Sequence, residues 1–159
     1  MEKSSSKKIS PKVIGVWRYG SAIGFAFLLA LPVIYYSIFG FRQVHLWILL
    51  TVSALCLAVW LLNVVILPPL QWKRWRYSIN QYEIGLLRGV LVQTETLIPL
   101  SRVQHVDTRQ GPVLRWYGLA SVTISTAATT HEIPGLDAEL ADRLRRRIST
   151  YARLADDDV

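Results

Sequence analysis

Charge is missing from two long stretches of this chain: no Asp, Glu, Lys or Arg occurs between Arg18 and Arg42, and none between Arg42 and Lys73. Surface helices of a soluble domain need a polar face, so stretches this long and this apolar are suited to lipid. Their polar side chains are uncharged, among them Ser21, Ser37, Thr51, Ser53 and Asn63, which can bond helix backbone or a neighbouring helix. Without an intramembrane charge there is no ion path, which argues against a transporter, channel or proton relay. Cysteine is nearly absent too. Cys56 stands alone inside the second stretch, so neither an intrachain disulfide framework nor a Cys-based metal site can be built, and it reads as a small apolar filler. No Gly-x-Ser-x-Gly elbow and no Gly-rich phosphate loop occur; Gly85, Gly89 and Gly111 are isolated turn glycines.

What is present, in a chain of 159 residues that is 52% hydrophobic, is a pair of helices. Tyr19 to Phe41 as an α-helix measures about 34 Å and Leu46 to Leu70 about 37 Å, against a hydrocarbon core of roughly 30 Å. Residues 42–45 form the connecting turn, so the two spans make a hairpin. A cleaved signal peptide is rejected because the first stretch is too long for an h-region and a second span follows almost at once. Lys3, Lys7, Lys8, Lys12 and Arg18 precede the first span and Lys73, Arg74 and Arg76 follow the second, while the turn holds only Arg42. That distribution places both termini in the cytoplasm and the turn outside. Trp17, Tyr19, Trp47, Trp72 and Trp75 stand where the interfacial aromatic belts are expected. Gly20 and Gly24, continued by Ala22, Ala26 and Ala30, give the first helix a small-residue face; packing against Ser53, Ala54 and Ala58 of the second is its simplest use. Pro32 is a possible kink, and Pro68 with Pro69 is expected to end the second helix.

From Trp72 onward the pattern changes to short alternating runs, so residues 73–154 read as a separate cytoplasmic domain, flanked by a basic N-terminus (1–18) and an acidic, unordered tail (155–159). Strands are expected at Trp75 to Ile79, Tyr82 to Arg88, Val90 to Leu100, Val103 to Arg109, Ala120 to Thr126 and His131 to Pro134, with a helical turn over Val113 to Tyr117. Pro134 and Gly135 introduce a last helix N-capped by Asp137, whose apolar stripe holds Leu140, Leu144 and Ile148. Short strands followed by one amphipathic helix imply a strongly bent sheet or open barrel covered by that helix. The fold class is therefore membrane α+β, a two-helix transmembrane hairpin followed by a bent β-barrel with a C-terminal capping helix.

Three runs carry a resemblance: Trp75-Arg76-Tyr77-Ser78-Ile79, Gly85-Leu86-Leu87-Arg88-Gly89, and Ile98-Pro99-Leu100-Ser101-Arg102-Val103-Gln104-His105-Val106-Asp107. With Arg115-Trp116-Tyr117-Gly118-Leu119-Ala120, the sequence resembles the bacterial PH-domain family of YdbS-like membrane proteins, over nearly everything after Lys12. The resemblance implies a PH-like fold of seven strands with a C-terminal helix at the inner face of a bacterial plasma membrane. It implies no enzymatic activity, and it suggests company with a larger relative carrying several such modules, in the biology of the envelope.

The residues themselves point the same way. His105 and Asp107 share a strand face, and with His131 they are the best catalytic candidates, yet no third partner is evident and a solvated pair is far commoner than a catalytic one. The chain is read as a non-enzyme with no metal and no cofactor. Ser101, Thr123, Ser125, Thr126, Thr129 and Thr130 are ordinary for turns and exposed strands. Arg143, Arg145, Arg146 and Arg147 are read as a solvated helix face rather than a nucleic-acid patch. Lys73, Arg74 and Arg76 sit beside the membrane surface by construction. Arg102, Arg109 and Arg115 are the candidate interaction residues, and Gly20 and Gly24 the candidate helix-packing pair. The expected partners are membrane lipids and a membrane protein, which the resemblance suggests is a larger PH-domain relative, with homo-oligomerisation possible and nucleic acid not expected. The leading function is a noncatalytic scaffold of the cell envelope; the alternative is binding of anionic lipid headgroups at the inner leaflet.

Overall fold

In an apolar solvent every backbone polar group must be paired within the chain, and the charge-free stretches form helices accordingly. The computed structural model describes residues 6–39 and 43–157, and side chains at all of these except 26–29, 39, 43–45 and 156–157. Helix α1 is Val13–Phe39 and runs through Pro32; α2 is Gln43–Leu61. The expected turn over 42–45 is thus helical from Gln43, while Arg42 lies outside the described residues. Both helices are long and apolar enough to cross a membrane. The chain divides into two units: Trp17–Pro69, and Met1–Val16 together with Leu70–Val159.

Within the first of these, Phe25 stacks on Trp60 with ring centroids 4.8 Å apart. Ser37 and Thr51 hydroxyls donate to the carbonyls of Val33 and Trp47, and Asn63 to that of Val59, which spares their polar atoms from lipid. Pro68 and Pro69 do not end the second helix. A π-helical turn, Leu62–Ile66, precedes them, and α3 (Leu67–Arg74) carries the helix onward. The carbonyl of Val64 would ordinarily receive the N–H of residue 68 in an α-helix or residue 69 in a π-helix. Both are proline and neither has one. Arg18 of α1 supplies the missing donor, its Nε lying 3.1 Å from the Val64 oxygen.

The second unit begins with a segment that the sequence reading set aside as a basic terminus. Lys7–Lys8 is strand β1, antiparallel to β2 (Arg76–Ile79), with Lys8 opposite Arg76. Ile9 and Val13 are 2% and 1% exposed, so they are core residues of the domain. Trp72, placed in the interfacial belt by its sequence position, donates its Nε1 to the Ile9 carbonyl (2.9 Å) while Lys8 lies over its ring. Trp75, expected there as well, is 8% exposed and belongs to the core.

Strand β3 (Glu83–Arg88) follows a turn in which the Asn80 side-chain oxygen accepts the N–H groups of Tyr82 and Glu83, as Asx turns do. Strand β4 is only Thr94–Pro99. The stretch from Val90 to Gln93, expected to be strand, is loop, because Gly89 at φ 115° turns the chain so tightly that a Cβ there would meet the Val92 carbonyl. Strands β5 (Val103–Arg109), β6 (Leu119–Thr126) and β7 (Thr130–Asp137) follow, with α4 (Pro112–Trp116) between β5 and β6. Two sheets result among the described residues, ordered β1-β2-β3-β4 and β5-β6-β7, with no ladder there joining them. The barrel is open. Among the described residues seven strands are present, the number the resemblance implied, with the first supplied from in front of the helices.

Pro134 and Gly135 do not end the last strand. They form a bulge within β7, an edge strand that tolerates a residue without a donor. Gly135 has φ 60°, a Cβ on it would collide with Val13, and its carbonyl accepts the Ser10 N–H at 3.0 Å. The bulge is therefore where the N-terminal segment is seated. Helix α5 (Ala138–Asp157) starts directly after it, packs through Ala141, Leu144 and Ile148 with Leu140 only half-buried, and reaches into the acidic run expected to be unordered.

Three outcomes follow. Ile9→Ala should destabilise the domain by about 2–5 kcal/mol, read as an earlier loss of tryptophan fluorescence on heating in detergent. Arg18→Leu should cost about 1–3 kcal/mol by orphaning the Val64 carbonyl, and much less in a Pro68→Ala background that restores a backbone donor; additive losses in that double-mutant cycle would rule the pairing out. The Tyr77 hydroxyl is buried without a hydrogen-bond partner, and burial raises its pKa, so Tyr77→Phe should be neutral or stabilising by up to about 1 kcal/mol in the same melt.

Candidate functional site

Pro99 closes β4, and the chain turns through a short 3₁₀ segment, Leu100–Arg102, into β5. Leu100 is fully buried and its N–H donates to the Tyr82 carbonyl at 2.9 Å, which pins the corner and leaves Ser101 and Arg102 exposed. β4 pairs only with β3 and β5 only with β6, so the corner joins two free sheet edges.

An open groove of about 1240 Å³ follows this seam. One wall is Leu97 to Pro99; the floor includes five consecutive residues of β5, Val103 to Asp107; the far side holds the β6–β7 turn and, from α5, Ser149, Ala152 and Arg153. Successive strand residues point to opposite faces, so a groove lined by all five runs along the edge of β5 rather than across a face. The β6–β7 turn is held firmly: the Thr126 N–H and hydroxyl both donate to the Thr129 carbonyl, and Thr129 N–H returns a bond to the Thr126 hydroxyl. The Thr129 hydroxyl in turn meets His131 Nε2 at 2.8 Å. Among the lining residues are two guanidiniums, Arg102 and Arg153, and two imidazoles, His105 and His131, against the single carboxylate of Asp107. The arrangement offers an unpaired backbone edge, hydroxyl donors and net positive charge.

It does not offer an acid–base–nucleophile set. His105 sits opposite Ser125 and Asp107 opposite Thr123, two positions apart on the ladder, both exposed and with no bond between them. Among the described residues no group of three His, Cys, Asp or Glu side chains could hold a metal ion.

The family described as Bacterial PH domain matches residues 26–152. The chain is also 43% identical over 163 residues, spanning 100% of both chains, to the UPF0699 transmembrane protein YdbS of Bacillus subtilis (strain 168). The chain belongs to the bacterial PH domain family. No solved structure matches it. The likeness to a transmembrane protein along its whole length, with two helices of spanning length, makes it a membrane protein.

In this bacterial PH domain the three arginines singled out from sequence are not brought together. Arg102 lines the groove, Arg109 is exposed at the far end of β5, roughly 20 Å along the strand by its rise per residue, and Arg115 is exposed on α4. Arg153 and His131 were missed as groove residues, since only folding brings α5 and the β6–β7 turn beside β5. Of the arginine run on α5, Arg145 and Arg146 each lie 2.8 Å from Asp142, and Arg147 covers the Tyr151 ring. Arg145, with Arg146 beside it, holds the Asp142 carboxyl below its ordinary pKa. Those three are spent along their own helix. Lys73 and Arg74 are exposed at the end of α3, whereas Arg76 is half-buried within β2. Gly20 and Gly24 have nothing within 4 Å of where a Cβ would stand. Neither glycine is thus in close contact with another part of the chain.

Proposed function

We propose that this protein is a noncatalytic scaffold of the bacterial cell envelope, whose PH-like domain takes up an extended segment of another membrane protein along the free edge of β5. The observation that carries the reading is the groove lined by consecutive residues of an unpaired strand. A peptide added there gains main-chain hydrogen bonds, and Arg102 and Arg153 favour a segment bearing acidic side chains. The same reading makes the two helices a hairpin with both termini cytoplasmic. It is supported by the folding of residues before α1 and after α3 into one unit, and by cations flanking that end of both helices.

A second reading, recognition of anionic lipid headgroups, draws on the same guanidiniums and hydroxyls, which a phosphate would also accept. The strand register favours a protein. Pro99 pairs with Glu83, so the β4 wall of the groove stands at the end of the sheet opposite to Arg76, where the chain arrives from the helices.

The test is purification of the full-length protein from native membranes in mild detergent, with proteins and lipids in the eluate identified together. A stoichiometric membrane protein should be recovered, and Arg102→Glu with Arg153→Glu should lower its yield at least tenfold. Hydrogen exchange should slow at alternate amides of Val103 to Arg109 when that partner is bound. Recovery of the partner unaffected by the double charge reversal, but lost with Gly20→Leu and Gly24→Leu, would move the contact into the bilayer. An enriched anionic lipid with no protein would put headgroup binding first.

A further inference from the structure

The loop between β3 and β4 is apolar where hairpin loops are ordinarily polar. Arg88 pairs with Thr94, which leaves Gly89, Val90, Leu91, Val92 and Gln93 to close the hairpin. Leu91 is 96% exposed and Val92 78%. Two adjacent aliphatic side chains held in water forgo the stabilisation that burial would give them, and nothing in the hairpin requires aliphatic residues there, since turn geometry is met by Gly89.

The register says where this loop stands. Arg76, the first residue of β2, is opposite Leu87, next to the last residue of β3. The loop thus lies at the end of the sheet where the chain comes off α3 at Arg74, one strand spacing of about 5 Å to the side. The helical segment Leu46–Arg74 that ends there is one of the two long and apolar enough to cross a membrane. Cations cluster at the same end: Lys73 and Arg74 on α3, Lys8 paired with Arg76, and exposed Arg88 at the base of the loop. The opposite end of the β2–β3 hairpin, at Asn80 to Tyr82, is roughly 17 Å further off by the rise of a strand.

We infer that the Leu91-Val92 tip inserts into the headgroup boundary of the bilayer in which the protein is itself anchored. There it pins the β1–β4 sheet to the membrane surface, while Arg88, Lys73 and Arg74 meet anionic lipid phosphates. Apolar tip and flanking cations are the two components of interfacial attachment, the cations drawn to the anionic leaflet. Because α3 already tethers the domain, the loop need not supply affinity for the membrane; it fixes orientation. With the loop docked, the Asn80–Tyr82 end and the adjoining Leu97 to Pro99 wall of the groove are held away from the lipid. The inference does not rest on the scaffold reading: a docked loop is compatible with an empty groove, and a filled groove with an undocked loop.

The experiment uses the full-length protein with Cys56→Ala, so that a single introduced cysteine can carry a nitrobenzoxadiazole label. Leu91→Cys and Tyr82→Cys are compared after reconstitution in vesicles of phosphatidylcholine with phosphatidylglycerol. Tyr82 is 80% exposed at the other end of the hairpin and serves as the aqueous control. The label at 91 should emit to the blue of that at 82, be quenched by doxyl groups on the lipid chains and resist aqueous iodide; the label at 82 should show the reverse. Equal access of iodide to both positions overturns the inference. Hydrogen exchange on the unlabelled protein keeps the test independent of the probe. Amides of Gly89 to Gln93 should be protected in these vesicles and lose that protection in a Leu91→Asp, Val92→Asp variant, and fast exchange there in the parent protein overturns the inference equally.

Discussion

Everything in this molecule is arranged around one seam, the burial of Ile9 and Val13 in a domain whose remaining residues come after both apolar helices. Those two side chains, with the β1–β2 ladder and the bond from Ser10 to Gly135, tie the start of α1 to the body that α3 leads into. The helices therefore begin and finish at the same folded unit. The adaptations around the seam follow from it: Gly135 is bare because Val13 fills the space a Cβ would take, and the Trp72 indole donates to the Ile9 carbonyl.

Backbone hydrogen bonding is handled in opposite ways in the two units. In the apolar unit the tandem prolines would strand the Val64 carbonyl, and a guanidinium crosses from the other helix to take it; in hydrocarbon an unpaired carbonyl costs several kcal/mol. In the β domain, where water can satisfy an open edge, β4 and β5 are left without partners on one side. An unpaired edge is tolerable there and available for use. The family relationship agrees with this division of labour, since the match runs from within the first helix to the end of the domain rather than over the domain alone.

The sequence by itself determined the helices, most of the strands and the terminal helix, because these depend on local periodicity: unbroken apolar runs for lipid, alternation for sheet, and a 3.6-residue stripe for α5. Its errors have a common cause. Pro68 and Pro69 look like a helix end only until Arg18 is known to be near; Val90 to Gln93 look like strand by composition, but Gly89 turns them out of the ladder; Pro134 and Gly135 look like a terminus until Val13 is seen against them. In each case the deciding partner lies far away in the chain, so no local pattern could show it. The candidate site was legible only in part for the same reason. Arg102 announced itself beside a strand, but whether β5 has a neighbour on its outer side is a property of the whole sheet order, and the groove needs α5 and the β6–β7 turn brought alongside. The sequence fixes which backbone groups exist; only the tertiary structure decides which of them go unpaired, because pairing is a matter of which segments meet in space.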